Sequence, residues 1–122
     1  MALDSDIAAL DLECIAFKIA VDERWPIEKI DRVTEAYRTF VQAMRIHDHS
    51  FRLVPTKDID TFWHHHILDT PKYFGDCKIL FGRYIHHFPY SGLKGDEDQR
   101  LQKSSFNRSL ALLQSVNPHF KE

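Results

Sequence analysis

The sequence predicts an all-α protein, folded as a compact bundle of about five helices in a single domain spanning residues 1–122. Apolar residues recur at three- and four-residue steps in several segments, which is the spacing of a buried helix face. No segment shows the sustained alternation of apolar and polar residues that marks a half-buried strand. The composition, 43% hydrophobic and 28% charged over 122 residues, is typical of one globular domain.

The first two helices are predicted from their start residues and their apolar spacing. The first begins at Ser5, a good capping residue, and runs to about Val21. Its apolar residues form two stripes, so we expect a central helix covered on two sides. The second begins at Pro26 and runs to about Ile46 with the clearest amphipathic pattern in the chain. The two stripes of the first helix are Ile7, Leu10, Cys14, Phe17 and Val21, and Ala8, Leu12, Ile15 and Ile19.

A short third helix is predicted after an interruption of the helical pattern. Residues 47–50 break the period, and residues 51–55 are predicted to be extended because the residue before a proline is disfavoured in a helix. Thr56 can cap the third helix, which we expect to end near Asp69.

The last two helices follow from similar start residues. Thr70 and Pro71 predict a fourth helix over about 71–87, which would form a tight corner with the third. Residues 88–95 are rich in turn formers and are predicted to be a loop. Asp96, with Gln99 three residues later, resembles a capping box and starts a final helix to about Val116.

The charge and cysteine content exclude several classes of protein. Sixteen basic and eighteen acidic residues give a net charge of −2, so we expect neither a nucleic-acid partner nor a membrane partner. Asp11, Glu13 and Lys18 interrupt the first apolar stretch, which argues against a signal peptide or a spanning helix. A cytosolic location is therefore expected. Cys14 and Cys77 are too few for a disulfide framework, and we interpret both as small buried hydrophobic residues.

The candidate functional residues lie in the most apolar third of the chain, where five of the eight histidines fall between His64 and His87. Histidines that alternate with aromatic and aliphatic residues must be partly buried, and a buried imidazole needs a partner. Successive helical residues point about 100° apart, so the three histidines at 64–66 cannot act as one chelate. Asp60 and His64, four residues apart, share one helix face and can bind one metal ion.

Further ligands are predicted from the fourth helix, where Asp76 and His87 lie along one margin. Two histidines with one or two carboxylates would suit iron, zinc or manganese and would leave coordination positions open for water or substrate. A purely structural interpretation competes with this one. In it, Asp60 only binds His64, Asp76 pairs with Lys72, and His87 caps the carbonyl groups at the end of its helix.

The remaining polar candidates have weaker patterns. His66 lies in the centre of the inward face, which favours a core histidine bonded to Asp69 or to a backbone carbonyl, although a role as a metal ligand stays open. Cys77 lies within an apolar stripe and is interpreted as packing rather than as a nucleophile. His86 is predicted to be solvated. No role is predicted for His47, His49 and His119.

Several short motifs together resemble a known family. Residues 63–70 carry W-H-x-H-I-L-D-T, residues 73–77 carry Y-x-x-D-C, and F-G and H-H-x-P-Y follow at 81–82 and 86–90. Over about residues 51–92 the chain is similar to small bacterial proteins related to the plant glycine-rich-domain-containing-protein family. The resemblance implies no mechanism, and the plant glycine-rich region is absent, since the chain holds only four glycines. It implies importance for Trp63, His64, His66, Asp69, Asp76, Cys77 and His87.

The sequence therefore favours a small cytosolic protein that binds a divalent transition metal (iron, zinc or manganese) through Asp60, His64 and His87. His66 or Asp76 would be a fourth ligand or would orient one. A metal-dependent enzyme with an unknown substrate is one form of this hypothesis, and the partner would be an unknown small molecule or protein. The alternative is a non-enzymatic interaction module, in which the same cluster is structural and the aromatic residues present a groove to a partner.

Overall fold

The computed structural model describes residues 3–88 and 92–121, and the regular elements in these residues are helices without any strand. The all-α class is confirmed, with six helices where about five are predicted. In chain order they are α1 (Ser5–Ala8), α2 (Glu13–Glu23), α3 (Ile27–Ile46), α4 (Lys57–Leu68), α5 (Thr70–Phe81) and α6 (Asp96–Val116).

The predicted first helix is two helices, α1 and α2, although no glycine or proline marks the break. The break lies between Ile7 and Leu12, and both side chains reach the core, at 0% and 2% exposure. Arg38 of α3 stabilises it, because its Nη1 atom donates hydrogen bonds to the carbonyl oxygens of Ile7 and Leu10 at 2.9 and 2.8 Å. The cap position of α1 is occupied by Asp4 rather than by Ser5.

Helix α2 is buried on one side only, so the prediction of a helix covered on two sides is wrong. Ile15 and Ile19 are buried in the core. The part of the other predicted stripe that lies in α2 faces solvent, with Phe17 72% and Val21 59% exposed. Cys14 lies on this exposed stripe, which also corrects its interpretation as a buried hydrophobic residue.

Helix α3 is the centre of the bundle and begins at Ile27, one residue after the predicted start, because Pro26 occupies the cap position. It packs against α1, α2, α4 and α6, while α4 also contacts α2 and α5. Tyr37 and Phe40 of α3, Phe62 of α4 and Leu113 of α6 are completely buried where these helices meet. The arrangement holds α4, which carries the candidate ligands, against the most buried part of the molecule.

The corner between α4 and α5 forms as predicted, but α5 is shorter than predicted. The side chain of Thr56 caps α4 by accepting a hydrogen bond from the backbone nitrogen of Ile59 at 3.3 Å. Helix α5 ends at Phe81 because Gly82 adopts a left-handed conformation, with φ of 73°. The prediction of a helix to residue 87 is therefore wrong. Residues 84–88 follow as a non-helical segment, so His87 cannot cap that helix.

Helix α6 closes the other side of the bundle and ends at Val116, as predicted. Gly95 occupies its cap position, so the predicted capping box of Asp96 and Gln99 does not form. Instead the carboxylate of Asp98 accepts a hydrogen bond from the backbone nitrogen of Lys94 at 3.2 Å. Across the described ranges, no helix combines the length and the apolar character needed to cross a membrane.

Candidate metal centre

Three of the predicted ligands meet in space: Asp60 and His64 on α4, and His87 on the segment after α5. One ligand atom from each lies within 4.8 Å of the others. The Oδ1 atom of Asp60 lies 3.5 Å from Nε2 of His64, and it also accepts a hydrogen bond from Nε2 of His87. The predicted pairing of Asp60 with His64 follows from their spacing of four residues, whereas His87 arrives from a separate segment.

Two aromatic residues hold His87 in place. The imidazole of His87 stacks on the indole of Trp63, with ring centroids 4.1 Å apart and planes inclined by 29°. The indole nitrogen of Trp63 donates a hydrogen bond to the hydroxyl of Tyr73 at 2.9 Å. The same hydroxyl donates to the backbone carbonyl of Ile85 at 2.7 Å, which ties the segment after α5 to α4.

The electrostatics of the cluster keep its carboxylate ionised. Partial burial of Asp60 opposes its ionisation, but the hydrogen bond from His87 and the charges of His64 and His87 outweigh that effect, so the pKa of Asp60 is lowered. The side chain of His87 is 15% exposed, and those of Asp60 and His64 are 35% and 56% exposed. The cluster therefore presents a charged oxygen and two imidazoles at the protein surface.

The spacing of these groups is close to that of a mononuclear metal site. Ligand atoms that each lie about 2.0–2.2 Å from one metal ion are roughly 3–3.5 Å from one another. The distance of 3.5 Å between Asp60 and His64 meets that value, and one ligand atom of each of the three residues lies within 4.8 Å of the others. Two imidazoles and one carboxylate suit iron, zinc or manganese, and three protein ligands leave positions for water or substrate.

The cluster opens into two adjoining pockets. One, of about 380 Å³, is lined by Asp60, His64 and His87 together with Trp63 and two basic residues, Arg52 and Lys57. The other, of about 310 Å³, lies beside His64 and His87 and is otherwise lined by Ile67 and Leu68. A small molecule therefore has access to the candidate ligands.

His66 and Asp76 are placed together, but in a separate buried row rather than in this cluster. His66 is 2% exposed; its Nδ1 atom lies 2.7 Å from the hydroxyl of Tyr37, and its Nε2 atom lies 2.8 Å from Oδ2 of Asp76. Lys72 also binds that carboxylate, at 3.0 Å, as the structural interpretation predicts. The partners of His66 are thus Tyr37 and Asp76, not Asp69.

The protonation states of this row follow from its burial. Burial lowers the pKa of His66, although the hydrogen bond with Asp76 opposes that effect. Burial also raises the pKa of Tyr37, so the phenol keeps its proton. A neutral His66 then donates from Nε2 to the carboxylate and accepts from Tyr37 at Nδ1. Both ring nitrogens are used, which leaves His66 no atom for a metal in this geometry.

The other predicted residues occupy varied positions. Cys77 is buried at 2% exposure, in agreement with a packing role, and His86 is exposed at the wall of the larger pocket. His47 is bonded through Nε2 to the backbone oxygen of Phe51 at 2.6 Å. His65 pairs with Glu23 of α2 at 3.2 Å. Pro89 and Tyr90, the last two residues of the H-H-x-P-Y motif, lie outside the described residues.

Sequence reasoning missed three contributors to this region. Lys57 lies three residues before Asp60 on the same helix, and this spacing indicates that the two side chains lie on the same helix face. Arg52 is placed at the pocket by an irregular connector, and Tyr37 reaches His66 from a different helix. Neither of these last two carries a local signal in the sequence.

Comparison with known proteins identifies a family. No curated protein and no solved structure shows a significant match. Residues 18–118, which include every candidate ligand and most of the chain, match the model of the UCP032817-like family. The chain therefore belongs to the UCP032817-like family.

Proposed function

We propose that this protein binds a divalent transition metal (iron, zinc or manganese) through Asp60, His64 and His87. The observation that carries the proposal is the meeting of two imidazoles and one ionised carboxylate, from two separate segments, at the mouth of a pocket. Membership of the UCP032817-like family names no reaction, so the proposal depends on this geometry.

The arrangement favours a metal that takes part in chemistry over a metal that only stabilises the fold. Structural zinc sites close their coordination with four protein ligands, whereas catalytic sites keep a position open. Here three ligands face a pocket of about 380 Å³. A metal in such a site would polarise a bound substrate or lower the pKa of a bound water, and we propose a metal-dependent enzyme whose substrate is unknown.

Two parts of the proposal draw their support from the sequence. A cytosolic location is favoured by the composition and by the presence of only two cysteines. A relationship to the glycine-rich-domain-containing proteins is favoured by the W-H-x-H-I-L-D-T pattern at residues 63–70.

A non-enzymatic interaction module is the second candidate, and one observation favours it. Asp60 and His87 already satisfy each other by a hydrogen bond, and Trp63 stacks on His87, so the cluster has a structural role even without a metal. In this alternative the cluster only fastens residues 84–88 to α4. The exposed apolar side chains of α2 and of the α4–α5 corner, among them Phe17 and Leu68, would then be available to a partner.

Elemental analysis distinguishes the two candidates. Tag-free wild-type protein, His64→Ala and the control His119→Ala are purified by gel filtration without added metal or chelator, and metal content is measured by mass spectrometry. His119 is exposed and lies outside the cluster. We expect near-stoichiometric metal in wild type and in the control, and its loss in His64→Ala.

Thermal unfolding provides an independent readout. A metal at a hundred times its dissociation constant stabilises the folded state by about 2.7 kcal/mol, so a chelator should lower the melting temperature of wild type and leave His64→Ala unaffected. Absence of metal from wild type, even after reconstitution with iron, zinc and manganese, would reject the metal centre and favour the interaction module.

A further inference from the structure

The larger pocket beside the candidate ligands is also lined by two basic residues, Arg52 and Lys57, which have no role in binding the proposed metal. We infer that the ligand of this site is a small molecule bearing an oxyanion group, a carboxylate or a phosphate, bound between the metal and the basic residues Arg52 and Lys57. This inference depends on the proposed metal centre and specifies the class of molecule that the centre would receive.

The charge balance of the pocket is the first argument. Among the described residues, the permanently charged ones that line it are Arg52, Lys57 and Asp60, two cations and one carboxylate. The carboxylate is already engaged by His87 and lies beside His64. A divalent metal bound by one carboxylate and two neutral imidazoles would keep one positive charge of its own. A neutral or cationic ligand would leave the charges of this metal and of Lys57 unbalanced, whereas an oxyanion would compensate them.

The position of Lys57 is the second argument. It is the first residue of α4 and lies one helical turn before Asp60, so both side chains reach the same wall of the pocket. Three other lysines of the described residues have acidic partners: Lys18 pairs with Asp22, Lys29 with Asp58 and Lys72 with Asp76. Within the described ranges, no carboxylate forms an ion pair with Lys57, and the side chain is exposed at the pocket.

Arg52 provides a second cation from the connector before α4. Its guanidinium lies over the ring of Phe88, 4.9 Å from the ring centroid, and this contact holds it at the pocket wall. A guanidinium matches the geometry of a carboxylate or a phosphate, to which it can donate two parallel hydrogen bonds. The volume of about 380 Å³ is at the lower end of the range for ligand pockets, which favours a small molecule over a macromolecular partner.

The test uses cobalt(II) as the metal and two simple anions as probes. The visible absorption of cobalt reports changes in its ligands, so protein loaded with cobalt is titrated separately with inorganic phosphate and with acetate at constant ionic strength. Wild type is compared with Lys57→Gln, with the conservative variant Lys57→Arg, and with the control Lys121→Gln. Lys121 is exposed and lines a different pocket, near Arg32 and Phe120.

We expect at least one anion to change the cobalt spectrum of wild type and of the control with the same dissociation constant. Lys57→Gln should raise the dissociation constant of the anion about threefold to tenfold with unchanged cobalt content. Lys57→Arg should keep the dissociation constant close to that of wild type. Comparison of the two titrations identifies whether phosphate or carboxylate is the preferred group.

Failure of the inference and failure of the metal proposal give different results. If wild type takes up cobalt but neither anion changes its spectrum, or if Lys57→Gln binds the anions as tightly as wild type, the oxyanion inference is rejected and the metal centre stands. If wild type takes up no cobalt before any anion is added, the metal centre is rejected, and the inference is rejected with it.

Discussion

The imidazole of His87 lies stacked on the indole of Trp63, with 4.1 Å between the ring centroids. Trp63 directly precedes His64 in α4. The side chain of Trp63 therefore supports the candidate ligand His87, while the next residue in the chain, His64, is itself a candidate ligand. The indole is itself held by the hydroxyl of Tyr73, which also binds the carbonyl of Ile85. The separation of the two histidines therefore depends on Trp63 and Tyr73, which are not themselves ligands.

Tyr73→Phe should destabilise the fold and weaken the metal centre together. Loss of the hydroxyl leaves the buried indole nitrogen of Trp63 and the carbonyl of Ile85 without their partner, which should lower the free energy of unfolding by about 1–3 kcal/mol. Urea denaturation measures this change. The control is Tyr84→Phe, because the Tyr84 ring packs against Tyr73 and its hydroxyl forms no side-chain hydrogen bond with the described residues. Equal losses in the two variants would contradict the proposed bridge.

Trp63→Phe should reduce metal affinity. A smaller ring without the indole nitrogen cannot be fixed by Tyr73, so His87 loses its oriented stacking partner. Changes to residues that orient a ligand typically lower metal affinity about 10- to 100-fold, and competition with a chromogenic chelator measures the effect. Trp25→Phe is the matched control, since Trp25 is half-buried and contacts Lys29 away from the cluster. A metal affinity equal to that of wild type would show that the stacking has no such role.

Two glycines of the same region should respond to alanine in opposite directions. Gly82 has a φ of 73° where it ends α5, so Gly82→Ala should cost about 1 kcal/mol of stability. Gly75 lies within α5 and an added methyl group would meet no atom within 4 Å, so Gly75→Ala should stabilise by about 0.5–1 kcal/mol. Urea denaturation of both variants checks the signs. Stabilisation by Gly82→Ala would contradict the left-handed helix end.

Arg45 should stabilise the fold in a manner that disappears in acid. Its guanidinium binds Asp4, Asp6 and the carbonyl oxygen of Leu80, and these hydrogen bonds lower the pKa of both carboxyl groups below their ordinary value of 3.8. Because the pKa is lower in the folded state than in the unfolded state, the two carboxylates contribute their full stabilisation above pH 3.8. This contribution is lost as the pH falls through the lowered pKa.

The corresponding experiment compares wild type with Arg45→Gln by urea denaturation at pH 6 and near pH 3. The variant should be less stable at pH 6, and the difference should narrow in acid as Asp4 and Asp6 become protonated. Arg100→Gln is the control, because the partner of Arg100 among the described residues is the exposed Glu97, and its loss should change stability little at either pH. A difference for Arg45→Gln that is the same at both pH values would contradict the ion-pair explanation.

Local patterns predicted most helix starts but not every helix end. Thr56 caps α4 as predicted, and Pro26 lies within one residue of the predicted start of α3, because such start signals act through neighbouring backbone groups. The end of α5 was missed because the apolar spacing continues to Tyr84, beyond Gly82, which terminates the helix. The break between α1 and α2 was missed because its carbonyl groups are satisfied by Arg38, a residue of a different helix.

The sequence by itself determined the all-α class, the corner between α4 and α5, and the pairing of Asp60 with His64, because each depends on residues within a few positions of one another. Only the tertiary structure decided that His87 joins this pair while His66 and Asp76 form a separate buried row. The physical reason is that both outcomes depend on contacts between distant segments. Tyr73 fastens the non-helical residues 84–88 beside Trp63, and Tyr37 reaches His66 from α3 through the packed core.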